Sequence, residues 1–161
     1  MFTNDLREQA EALLEYCRAA GTTLATAESC TGGLVAALLT AIPGSSDVVE
    51  RGFVTYSNQS KIDMLDVVPE RLGRYGAVSA ETAAAMAQGA IRHSGADLAV
   101  AITGIAGPGG GSAEKPVGLV WFATARRNGS TLTRRHNLSG DRGAVRAAAV
   151  RIALDMLLAA G

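Results

Sequence analysis

Thr26-Ala27-Glu28-Ser29-Cys30-Thr31-Gly32-Gly33 joins a short apparent strand, Thr22 to Ala27, to an apparent helix. The helix starts near Thr31, runs through Leu34, Val35, Leu38 and Leu39, and stops at Pro43-Gly44. A strand leading straight into a helix is the opening unit of an α/β fold. Such a turn places one serine hydroxyl at the positive end of a helix, beside free backbone N–H groups. That site suits a nucleophile with a ready oxyanion hole or a cradle for an anion. Ser29 also fits an ordinary N-cap, although Thr31 would cap equally well. Two glycines so early in a helix cost roughly 1 kcal/mol each against alanine and ask for a reason; a substrate approaching the backbone supplies one.

Outward from this turn, residues 3–20 read as an amphipathic helix with Leu6, Ala10, Leu13, Leu14 and Cys17 on one face and Gly21 as its stop. Gly52 to Tyr56 is a second strand, followed by a short helix over roughly 58–65. Ser79 caps a helix whose stripe is small: Ala80, Ala83, Ala84, Ala87, Ala90 and Ile91. Asp97 to Thr103 reads as a buried strand. Gly104 to Pro116 is a glycine-rich loop too long to be a plain connection. Val117 to Thr124 and Thr131 to Leu138 are strands joined through Arg127-Asn128-Gly129, a hairpin signal. A closing helix follows Asp141, with Val145, Ala148, Ala149, Ile152 and Met156 inward.

With no linker or repeat in the chain, this order predicts one domain over 1–161. Its expected form is an α/β/α sandwich around one mixed, mostly parallel sheet with a C-terminal hairpin. Ligands in such sheets gather at the carboxyl ends of the strands, where Ser29, Tyr56 and Thr103 fall.

The composition is that of a globular chain, 48% apolar and 19% charged, with a formal net charge of zero. A balanced charge argues against non-specific nucleic-acid binding, which needs cationic excess. Cys17 and Cys30 have neither metal-ligand spacing nor a disulfide framework, so reduced thiols in a cytoplasm are the simplest reading. The N-terminus is polar and unlike a signal peptide, and no apolar run reaches membrane-spanning length.

A serine nucleophile needs a base. His93 falls at a helix end and His136 within the last strand, away from the strand carboxyl ends, which disfavours a Ser-His-Asp arrangement. Lys61 is the better candidate, provided burial or a neighbouring cation moves its pKa well below the usual 10.4 or so. Tyr56 nearby would relay the proton or orient the amine; a solvated helix lysine is the plain alternative. Cys30 is a rival nucleophile, but adjacent side chains on extended backbone point opposite ways, so a small core thiol suits it better. The loop from Thr103 through Gly104, Gly107, Gly109 and Gly110 lacks the Lys-Ser/Thr ending of a Walker A loop and does not fit G-x-G-x-x-G. Its N–H groups would make a concavity for phosphate or ribose. Arg142 and Arg146 lie one turn apart in the first turns of the closing helix, where the macrodipole disfavours cations, and a bound phosphate would account for both.

Taken together, several stretches resemble the CinA C-terminal domain family, the competence-damage-inducible family. They are Ala27 to Gly33, Gly52 to Asn58, Gly76-Ala77-Val78-Ser79, Gly104 to Pro108, Glu114-Lys115-Pro116-Val117-Gly118 and Ser139-Gly140-Asp141-Arg142. They run in order along nearly the whole chain, which looks like the stand-alone form of that module. The resemblance implies hydrolysis of the carboxamide of nicotinamide mononucleotide to nicotinic acid mononucleotide and ammonia. It puts the nucleophile on Ser29 and its activating pair on Tyr56 and Lys61, with an oxyanion hole at Thr31, Gly32 and Gly33. Ribose and phosphate then fall to Thr103, Gly104, Gly107, Gly109, Gly110, Arg142 and Arg146. No metal or cofactor is implied; the partners are a small mononucleotide and further copies of the chain, with sites near subunit interfaces. The alternative is a nucleotide-binding or partner-docking module of the competence or DNA-damage response that keeps the pocket without turnover.

Overall fold

The strands alternate large and small side chains, and this alternation sets the layers. The computed structural model describes residues 1–161. Its elements are α1 (Asn4–Ala20), β1 (Leu24–Glu28), α2 (Leu34–Thr40), β2 (Val49–Val54), α3 (Asn58–Leu65), α4 (Pro69–Tyr75), α5 (Ala80–Arg92), β3 (Leu98–Gly104), β4 (Leu119–Arg126), β5 (Thr131–Asn137) and α6 (Arg142–Ala160). The sheet order is β2-β1-β3-β4-β5. β2, β1 and β3 run parallel, whereas β4 and β5 are antiparallel to their neighbours.

Leu24, Leu98, Val100, Ile102, Val120 and Phe122 project to one face, where α1, α2 and α6 cover them. Ala25, Ala27, Ala99, Ala101, Ala123 and Ala125 project to the other, against α5 with α3 and α4 outside it. The expected α/β/α arrangement is therefore what the chain adopts. No helix is long and apolar enough to cross a membrane.

The expected helix caps hold. Gly21 ends α1 at φ 65°, and Ser79 accepts the Thr82 N–H ahead of α5. Asp141 accepts the Ala144 N–H ahead of α6. Two expectations need correction. The helix after the Ser29 turn begins at Leu34, not near Thr31, because Gly32 and Gly33 adopt φ 58° and 95° and hold the turn open. A helix over Pro69–Tyr75 was not expected; none of its residues is buried, so it has no apolar stripe to read. Pro69 at its first position was the available signal.

Candidate active site

β1 ends at Glu28, and the chain turns sharply over residues 29–33. Glu28 is fully buried, and its carboxylate accepts the N–H groups of Val35 (2.9 Å) and Ala36 (3.0 Å) at the start of α2. The Thr26 hydroxyl donates to it at 3.3 Å. An internal anion thus occupies the helix N-terminus that the sequence reading left free for a ligand. Within the turn, the Gly32 N–H donates to the Ser29 carbonyl at 3.0 Å. The Thr31 and Gly33 N–H groups have no acceptor within the protein.

Ser29 and Cys30 take different surroundings, although both touch the same cleft. Cys30 joins the aliphatic cluster under α6, and burial pushes its thiol up to about 11, so it is a neutral core thiol at physiological pH. Ser29 meets α3 instead. There the Lys61 ammonium group donates to Ser29 Oγ at 3.0 Å and to the Thr55 carbonyl at 2.7 Å. The carbonyls of Tyr56 and Ser57 lie at 3.4 and 3.5 Å from the same nitrogen. Lys61 is 1% exposed, no carboxylate pairs with it, and burial lowers its pKa to about 8. Desolvation disfavours its charged form, and the surrounding carbonyls accept from the amine without supplying a counter-ion. A Ser–Lys pair with a depressed lysine can perform base-assisted nucleophilic attack.

The pair opens into a cleft of about 240 Å³ that also touches Ala77, Thr103, Gly104 and Arg142. Thr103 donates to the Ala77 carbonyl at 2.7 Å, fixing the cleft's far wall. Tyr56 stands at the mouth, 61% exposed. Its hydroxyl accepts from Arg142 at 3.0 Å and is not hydrogen-bonded to Ser29 or Lys61. Arg142 also donates to the Gly107 carbonyl at 2.9 Å, bridging the glycine-rich loop to Tyr56. Gly109 and Gly110 are exposed on that loop, outside the cleft.

Arg146 does not enter the cleft. It rises from α6 on the aliphatic side of the sheet and donates to the carbonyls of Cys30 and Thr31, both at 3.1 Å. Those bonds, formed across 116 and 115 residues of chain, clamp the turn from behind. The single-turn spacing of the two arginines suggested a shared phosphate, but only tertiary packing could tell which way each points. The histidines stay away, as expected: His93 contacts Asp66 at 2.5 Å, and His136 packs edge-on to Phe122.

The family model of the CinA C-terminal domain matches residues 6–160. The chain belongs to that family. It is 52% identical over 157 residues to the nicotinamide-nucleotide amidohydrolase PncC of Escherichia coli K12, covering 98% of this chain and 95% of that protein. Among solved structures, the competence/damage inducible protein CihA of Agrobacterium tumefaciens superposes with a TM-score of 0.96 at 54% identity, covering 99% of this chain and 97% of the other. A CinA superfamily protein of E. coli gives 0.91 at 41% identity, covering 98% and 92%. As a CinA-family domain, the chain has one Ser–Lys pair seated at the carboxyl ends of its parallel strands.

Proposed function

We propose that this CinA-family domain is an amidohydrolase that converts nicotinamide mononucleotide to nicotinic acid mononucleotide and ammonia through a serine nucleophile. The 3.0 Å contact between a buried lysine without a counter-ion and Ser29 carries this reading. The name of the E. coli relative supplies the substrate.

Lys61 acts in its neutral form. With a pKa of about 8, roughly a tenth of the amine is free at pH 7, against less than a thousandth for an ordinary lysine. It takes the Ser29 hydroxyl proton as Oγ attacks the carboxamide carbon. The oxyanion of the tetrahedral intermediate falls to the backbone of the turn: the Thr31 and Gly33 N–H groups are free of backbone acceptors, whereas that of Gly32, the third expected donor, is taken up by the Ser29 carbonyl. Collapse breaks the C–N bond, the proton on Lys61 passes to the leaving nitrogen, and ammonia departs from an acyl ester on Ser29. Water, deprotonated by Lys61, then attacks the ester, releasing the acid and restoring Ser29. Tyr56, held by Arg142, orients the mouth of the cleft, and Arg142 and Thr103 lie where ribose emerges. The exposed apolar residues Val54, Tyr56 and Val117 suit a second copy of the chain against the mouth; sedimentation as a monomer would exclude it.

Ammonia release from nicotinamide mononucleotide, measured on the wild type and on Ser29→Ala, tests the function. The variant is expected to stay folded and to lose activity by at least about a thousandfold. Equal turnover in both would remove Ser29 from the reaction. Binding without turnover in the wild type would instead favour a non-catalytic nucleotide-binding module.

A further inference from the structure

A second cleft, larger at about 630 Å³, opens beside the first, and Val78 lines both. Gly76, Val78 and Ser79, on the stretch that also walls the first cleft, build it together with Glu114-Lys115, which the catalytic site leaves unused. Its cations are Arg74 on α4, Lys115 on the long loop and Arg135 on β5. None of the three is ion-paired. Arg74 lies over the Tyr75 ring at 5.2 Å, and Lys115 donates to the Tyr75 carbonyl at 2.6 Å. Lys115 is seated against the bare face of Gly76, where a Cβ would come within 2.9 Å of its amine.

Register places this cleft along the same line as the nucleophile. Thr103 on β3 pairs with Trp121 on β4, and Trp121 pairs with Arg135 on β5. Paired residues point to the same face, here the α5 face. Strands lie about 4.8 Å apart, so Arg135 stands about 10 Å from Thr103 along the sheet. With the Arg135 side chain making up part of it, that span matches the reach from the ribose of a mononucleotide to its phosphate. Arg146, the cation expected to share the phosphate, is turned to the far side of the sheet.

We infer that this second cleft takes the phosphate end of the mononucleotide, with Arg135 and Lys115 on the phosphate and Trp121 forming the floor under the sugar. The inference rests on the proposed amidohydrolase for the identity of the base, but not for the chemistry of the cleft. The lining also carries Glu81 and Glu114. Their carboxylates accept hydrogen bonds from sugar hydroxyls and repel excess negative charge, so the cleft suits a sugar monophosphate over a polyphosphate.

Trp121 is the chain's single tryptophan, so its fluorescence reports on this cleft directly. The experiment titrates the Ser29→Ala protein, which does not consume substrate, with ribose 5-phosphate, ribose, nicotinamide mononucleotide and its phosphate-free riboside. Saturable changes are expected with the two phosphate-bearing ligands, each binding at least about tenfold tighter than its phosphate-free counterpart. Arg135→Gln and Lys115→Gln are expected to erase most of that preference while leaving riboside affinity in place. Equal affinity with and without phosphate would overturn the inference. So would a preference that survives both substitutions and disappears in Arg142→Gln. Phosphate-dependent binding of ribose 5-phosphate in a protein whose wild type releases no ammonia would sink the amidohydrolase reading and leave the second cleft standing.

Discussion

One face of the sheet presents Leu, Val, Ile and Phe; the other, from the same three central strands, presents alanine at nearly every buried position. The aliphatic face carries most of the apolar burial, at roughly 1.5–3 kcal/mol for each fully buried large side chain. The alanine face buries little per residue, but it lets α5 lie close to the sheet. Lys61, on α3, and the second cleft lie on that thinner side, while Arg146, which clamps the turn over residues 29–33, comes from the thicker one. The bulk of the apolar burial and the Ser29–Lys61 pair thus sit on opposite faces, which meet at the turn over residues 29–33 and through Arg142 of α6.

The largest effect separates the two kinds of packing. Leu154→Ala, on the aliphatic face, is expected to lower unfolding free energy by about 2–5 kcal/mol through a cavity. Gly89→Ala, on the other face, is expected to cost about 1–3 kcal/mol for the opposite reason. There a Cβ would sit 2.1 Å from the Leu65 carbonyl oxygen of α3, the helix that carries Lys61. Denaturant titration gives both values. A neutral Gly89→Ala, or a Leu154→Ala that impairs kcat while the protein remains folded, would contradict this division between the faces.

Lys61 makes stability depend on pH. Its folded pKa of about 8 lies below the unfolded value near 10.5, so between those limits the unfolded chain binds the extra proton. Stability therefore rises with pH across that window and is lost as pH falls toward 8, a span of about 3 kcal/mol. Measured against Lys61→Met, the wild type is expected to gain about that much between pH 7.5 and 10.5. A constant difference would mean that the amine is not buried in solution.

The order of helices and strands was legible in the sequence because each element carries a period, a cap or a glycine stop. α4 was not, since a helix with no buried residue leaves no stripe. Ser29 and Lys61 were legible as a candidate pair because both follow strand ends, and the structure brings them together. Glu28 at the start of α2, and Arg146 behind the turn, were not. Their partners are fixed by which face of the sheet each side chain takes. The second cleft escaped for a related reason: its cations come from α4, a loop and β5, far apart in the chain.

The smallest effect concerns the clamp. Arg146→Lys keeps the charge but loses the fork that reaches two carbonyls, and kcat is expected to fall by about tenfold to a hundredfold with KM little changed. The pH dependence should stay that of the wild type, because Lys61 is untouched. A change confined to KM would instead return Arg146 to substrate binding.

In the proposed reaction a neutral, buried Lys61 activates Ser29. The most direct test of that activation is kcat/KM for nicotinamide mononucleotide as a function of pH, in the wild type and in Lys61→Arg. The wild type should lose activity below a single limb near pH 8, one proton at a time, and Lys61→Arg should be inactive throughout, since arginine does not release its proton in this range. A flat profile from pH 6 to 9, or appreciable turnover by the arginine variant, would contradict the account.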